Sequence, residues 1–252
     1  MKKTKLMACT DSNTIKANGE FENYGIKMVT IFLLMMFTFT ASAQKSKVMD
    51  AFFKYGIDSS ILNLEKTKRP DNYAFNFKQT IITSASEVVT IAEFDPGNSK
   101  AGCWTVISID GKAPSKSAIN TFRKNQNKPS PIFQIDDASY KIEKETADQL
   151  VVSYKLDPSK ITKDNGFIKD CRFYMVINLK SKKLDQIQTL NEKPVKVTIL
   201  TADKFDLVVK YKWDDQAKQY LPVNEKLHME AKFIGQATNI ETITEYSNYI
   251  KK

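Results

Sequence analysis

From Asn72 to the C-terminus, apolar side chains recur two residues apart, and this alternation commits the chain to a sheet with one dry face and one wet face. The period opens with Tyr73, Phe75 and Phe77 on one side against Ala74, Asn76 and Lys78 on the other. In 171–179 it sets Cys171, Phe173, Met175, Ile177 and Leu179 against Arg172, Tyr174, Val176 and Asn178. In 206–213, Leu207, Val209, Tyr211 and Trp213 oppose Asp206, Val208, Lys210 and Lys212. Strands are predicted near 73–83, 86–94, 103–109, 138–145, 149–156, 171–179, 183–190, 195–201, 206–213, 220–232 and 238–249. The links between them are short and turn-like: Asp95-Pro96-Gly97-Asn98, Asp110-Gly111-Lys112, Lys180-Ser181-Lys182 and Asp214-Asp215-Gln216. Links of that length join antiparallel neighbours, so the expected arrangement is a meander.

Two stretches depart from the period of two. Over 45–66, Val48, Met49, Phe52, Phe53, Ile57, Ile61, Leu62 and Leu64 recur at helical spacing with a pause at Gly56, which predicts one amphipathic helix or two short ones. Arg69-Pro70-Asp71 ends it, because proline has no amide hydrogen and biases its predecessor toward extended backbone. A second helix is predicted after Pro114, with Ser115 as N-cap, Ile119 and Phe122 as its apolar stripe, and an end before Pro129-Ser130-Pro131. The fold class is therefore α+β, mainly antiparallel β, with about eleven strands, an N-terminal helix and one internal helix. Two short helices cannot cover the apolar face of so large a sheet. Either the sheet fills its own interior as a sandwich or barrel, or it curls around a cavity.

Ahead of this domain, Val29 to Thr40 is an apolar run preceded by Lys27 and followed by Ala41-Ser42-Ala43, the small-x-small pattern of a signal peptidase site. The expectation is an N-terminal extension plus cleaved signal peptide over 1–43 (hydrophobic core 29–40), cut between Ala43 and Gln44, and a single β-rich domain over 44–252. The run is shorter than the roughly 20 apolar residues of a membrane-spanning helix, so no transmembrane segment is expected after processing. Translation starts at Met1 or at Met28, since 27 polar residues make a long leader ahead of such a run. Leu6-Met7-Ala8-Cys9 follows Lys5 too closely to serve as a lipid-attachment signal. The location implied is periplasmic or otherwise exported.

After cleavage the chain carries thirty-three basic and twenty-six acidic side chains, a net charge of +7. The lysines are spread over every strand and turn rather than gathered, which describes a solvated surface and argues against nucleic acid as a partner. Cys103 and Cys171 remain, each in an apolar stretch; an oxidising compartment would allow them to pair, and buried thiols are the equal alternative. His228 lies between Lys226 and Glu230 on the polar side of its strand and reads as a solvated histidine. One histidine and two cysteines give no zinc-site spacing, and no metal or cofactor is expected. Asp136-Asp137 and Asp214-Asp215 fall in turns, where aspartate binds nearby backbone. No Gly-x-Ser-x-Gly, phosphate-binding loop or dinucleotide fingerprint occurs, so no catalytic residue is assigned and no enzyme is expected.

The closing pattern Tyr220-Leu221-Pro222-Val223-Asn224-Glu225-Lys226-Leu227, followed by Ile243-Thr244-Glu245-Tyr246-Ser247-Asn248-Tyr249, resembles the periplasmic lipoprotein carriers of the LolA/LolB-like superfamily. The stretch from Cys103 to Ser115 is similar to a segment of exported bacterial proteins with the same layout. The resemblance spans most of 45–252. It implies a curved, incomplete antiparallel barrel, a half-barrel whose apolar hollow holds acyl chains, although the helices here are fewer and more polar than a carrier's lid. Phe75, Phe77, Phe173, Met175, Val209, Tyr211 and Trp213 are the candidate lining of that cavity. The expected role is an exported envelope protein binding an acyl chain, lipid or lipoprotein; the alternative is a scaffold domain that binds another envelope protein without lipid.

Overall fold

Beyond Tyr73 the alternating stretches pair into one antiparallel sheet of eleven strands. The computed structural model describes residues 44–99, 102–128 and 131–252, which belong to one compact unit, Ser42–Lys252. The leader expected over 1–43 lies outside the described residues. The strands are β1 (Tyr73–Thr83), β2 (Glu87–Phe94), β3 (Trp104–Ile109), β4 (Lys141–Glu145), β5 (Gln149–Tyr154), β6 (Cys171–Asn178), β7 (Lys183–Asn191), β8 (Val195–Val197), β9 (Leu200–Asp214), β10 (Gln219–Phe233) and β11 (Gln236–Lys251). Their order is β3-β2-β1-β11-β10-β9-β7-β6-β5-β4, with β8 set against β9. The fold is α+β, and the curved sheet does not close: β3 and β4 remain its edges.

The meander is thus two meanders joined by a long-range seam. β1 pairs with β11, so that Phe77 stands opposite Tyr246 and Gln79 opposite Thr244. β4 carries Lys141, Glu143, Lys144 and Glu145 and is exposed throughout, a charged edge that discourages pairing with another chain.

The N-terminal helical stretch breaks where the sequence pauses. Helix α1 occupies 44–55 and ends at Gly56, whose φ of 64° is left-handed. The Gly56 amide donates to Phe53 O at 3.1 Å and the Ile57 amide to Phe52 O at 2.8 Å, the paired bonds of a Schellman cap, with Ile57 and Phe52 in the same core cluster. Asp58 and Asn63 then accept amides two residues on and wind Ser59–Leu62 and Leu64–Thr67 into 3₁₀ turns instead of a continuous α-helix. The internal helix α2 (Lys116–Gln126) begins where Ser115 Oγ accepts the Ala118 amide at 3.2 Å. Phe122 enters the core, and Arg123 Nε donates to Trp104 O at 2.9 Å on edge strand β3. Among the described residues no helix is long and apolar enough to cross a membrane.

Three elements differ from their expected extent. Asp136 caps a 3₁₀ turn at Asp137–Ser139, so β4 starts at Lys141 rather than near 138. Thr198, at φ 54°, turns the chain after Val197, and β9 begins at Leu200 rather than 206. Lys163–Asp170 is a 3₁₀ stretch without a periodic signal; its Phe167 packs on Phe205 with ring centroids 5.6 Å apart.

Candidate functional site

The inner face of the sheet is filled at its two ends and hollow between them. At one end, Phe75 and Phe77 of β1 are buried with Trp104 of β3, Tyr246 of β11 and Phe122 of α2. Phe77 meets Trp104 edge-on at 5.4 Å and Phe122 at 5.5 Å, which leaves no room between them for a ligand. Met175 is fully buried in the cluster formed by α1 with β5, β6 and β7. Trp213 packs on Tyr220 at 4.8 Å, lies under Lys183 Nζ at 4.2 Å and donates to Asp215. These four side chains, expected in the cavity wall, are structural core or its margin.

Phe173, Val209 and Tyr211 do come together around a hollow. Pairing register places Tyr154 beside Phe173, Phe173 beside Thr189, Thr189 beside Leu207, and Ile187 beside Val209. Because paired residues point to the same face, these side chains form one floor across β5, β6, β7 and β9. Leu64 and Thr67, from the second 3₁₀ turn, together with Pro131 and Phe133, supply the remaining wall. The result is a mainly apolar cavity of about 240 Å³ with an open mouth. Thr67, Tyr154, Thr189 and Tyr211 are the hydroxyl-bearing residues of its lining, Lys68 is its one cation among the described residues, and burial pushes the Tyr211 phenol well above its ordinary range.

Thr67, Val209 and Tyr211 also line an adjoining polar compartment of about 300 Å³ with Arg69, Asp71, Gln126, Lys128, Pro222, Glu225 and Tyr246. Glu225 pairs with Val209 and with Thr244, so it stands in the apolar row of the inner face. The Tyr246 hydroxyl donates to Glu225 Oε1 at 3.1 Å. Burial raises the Glu225 carboxyl above its ordinary value, and the Tyr246 hydrogen bond and the nearby Arg69 charge offset only part of that. The guanidinium of Arg69 lies over Phe75, Phe94 and Trp104 at 5.4, 5.6 and 5.3 Å from their ring centroids. Of this compartment, alternation had marked Val209 and Tyr211, and Glu225 stands out as an acid in a period-two row with Leu227, Met229 and Ala231. Arg69 lies in an aperiodic link, and nothing in its neighbours marks it.

The remaining chemistry is dispersed. Cys103 belongs to the aromatic cluster, its Sγ 3.6 Å from Asn127 Oδ1, whereas Cys171 lies in another cluster with its Sγ 3.7 Å from Phe167 O. The pairing left open by the sequence is not made, because the two thiols are held in separate parts of the core. Burial, with Asp170 and Glu192 nearby, pushes the Cys171 thiol up to about 11. His228 is on the outer face, its Nε2 3.3 Å from Glu230 Oε1. Asp136 and Asp214 accept backbone amides of their own turns. Among the described residues no three His, Cys, Asp or Glu side chains converge on a point that could hold a metal ion. No family model, curated protein or solved structure matches the chain.

Proposed function

We propose that this chain is a non-enzymatic, exported envelope protein that holds an acyl chain in the hollow between Phe133, Phe173 and Val209. The observation carrying this reading is the cavity of about 240 Å³ on the inner face, lined mainly by Leu, Ile, Val, Phe, Tyr and Pro side chains, with Thr67, Lys68 and Thr189 as its other members. Such a space suits a ligand recognised by burial alone, and each methylene removed from water contributes about 0.8 kcal/mol. Its size lies below the roughly 300–1,000 Å³ of pockets that enclose a whole drug-sized ligand, so it accommodates a stretch of one chain rather than a two-chain lipid. The likeness of the C-terminal pattern to lipoprotein carriers and the expected export segment support the same reading.

Native mass spectrometry of the protein purified from its own compartment, followed by organic extraction, tests the proposal. An acyl species released on denaturation is the expected result. Val209→Phe, which places a ring in the hollow, is expected to lower uptake of a fluorescent fatty acid at least tenfold while the circular dichroism spectrum is retained. A ligand-free mass together with no fatty-acid uptake by the unsubstituted protein would overturn the reading and direct attention to the sheet edges as protein-binding surfaces.

A further inference from the structure

Arg69 lines the polar compartment that adjoins the apolar hollow, and its charge has no counterpart in direct contact. Among the described residues no side chain or carbonyl accepts a hydrogen bond from its guanidinium, and no carboxylate forms an ion pair with it. A guanidinium carries five N–H donors in a planar fork suited to a two-oxygen anion. The Phe75, Phe94 and Trp104 rings lie within cation–π range of the guanidinium and offer these donors no hydrogen-bond acceptor. Lys128 and the Gln126 amide line the same compartment, and Lys128 likewise has no acidic partner there. Among the described residues two acids line the compartment: Glu225 accepts from Tyr246, and Asp71 makes no ion pair with Arg69.

We propose that the Arg69 compartment binds the oxyanion head of a single-chain amphiphile whose tail occupies the adjoining cavity, an inference that rests on the acyl-binding reading above. Thr67, Val209 and Tyr211 line both spaces, so the head and tail sites adjoin along that shared wall. Charge complementarity selects the head: the fork of Arg69 matches a carboxylate or a phosphate monoester, and both present two coplanar acceptor oxygens. An uncharged head would leave these donors without partners in a partly desolvated site.

Isothermal titration calorimetry of the protein with laurate, 1-dodecanol and dodecyl phosphate separates head from tail at constant chain length. Laurate or dodecyl phosphate is expected to bind at least tenfold tighter than dodecanol, and the tighter of the two identifies the head as carboxylate or phosphate. In Arg69→Met, which keeps an apolar body over the aromatic rings, the ratio of anion to alcohol affinity is expected to fall to about one; in Arg69→Lys part of it is expected to survive. The preference of the unsubstituted protein is itself a test should the methionine variant not fold. Equal affinity for the acids and the alcohol overturns the head-group assignment and leaves the acyl-binding reading standing. Failure of all three ligands to bind overturns both.

Discussion

Arg172 shows what a single buried charge contributes here. It faces away from the inner core yet is nearly buried, donating through Nη1 to Ser139 O and Ser153 Oγ, each at 3.2 Å, and through Nε to Glu192 Oε1 at 2.9 Å. Lys155 reaches the same carboxylate. The Glu192 carboxyl is held below its ordinary 4.5, first by the Lys155 hydrogen bond and then by Arg172. Its stabilising contribution is therefore present above pH 4.5 and is lost as the pH falls through the lowered native value. Arg172→Met is expected to cost about 2 kcal/mol in urea unfolding at neutral pH, since it strands two acceptors and a partly buried carboxylate. The deficit should narrow on acidification below 4.5; a deficit independent of pH would assign the loss to packing alone.

Glu225 has the opposite sign. Burial raises its carboxyl, so below 4.5 the group is neutral in both native and unfolded chains and costs nothing. As the pH rises from 4.5 through the raised native value, the folded protein must hold a desolvated charge and loses stability relative to the unfolded chain. Glu225→Gln retains an acceptor for Tyr246 and removes that charge. The variant is expected to match the unsubstituted protein near pH 4 and to be the more stable at neutral pH, as read from urea midpoints across that range. A glutamine variant that is the less stable at neutral pH would mean that the Arg69 charge already compensates the carboxylate.

At the scale of elements, two joints among the described residues strain a β-branched residue: the β8–β9 turn at Thr198, φ 54°, and the β10–β11 hairpin. The two central residues of that hairpin, Ile234 and Gly235, have φ of 49° and 79°, a turn with both positions left-handed. Glycine adopts that conformation freely, whereas a β-branched side chain does so only under strain. Ile234 is also 86% exposed, so it recovers nothing by burial. Ile234→Asn installs the Asn-Gly pair this turn favours and is expected to stabilise the protein by about 1 kcal/mol, measured by chemical denaturation. No gain would imply that Ile234 meets a partner outside this chain.

For the whole molecule, the sheet is one continuous hydrogen-bonded surface with unequal protection. β9, β10 and β11 are long, paired on both sides and packed on the inner core; β4 is short, exposed and paired only with β5. Hydrogen exchange is expected to be slowest in β9–β11 and fastest in β4, with β1 as slow as β11 because the seam between them joins the two meanders. Rapid exchange in β1 together with a protected β11 would show that the seam opens separately. The seam could not be read from the chain: partners such as Tyr73 and Lys251 are at opposite ends of the domain, and no turn sequence records their meeting.

What the amino-acid sequence determined by itself was local: the period of two that places Phe173, Val209 and Tyr211 on the inner face, the pause at Gly56, the Ser115 cap and the turns. Each follows from backbone sterics or from side chains a few residues apart. Only the tertiary structure decided which inner-face residues enclose space, because that depends on what lies opposite. Phe75 and Phe77 meet Trp104 and Phe122 and are packed solid, whereas Phe173 and Val209 face Leu64, Thr67 and Phe133 across a gap. The same holds for Arg69 and Glu225, 156 positions apart and joined only by the curvature of the sheet. Alternation names a face; register and curvature between distant strands decide whether that face is filled.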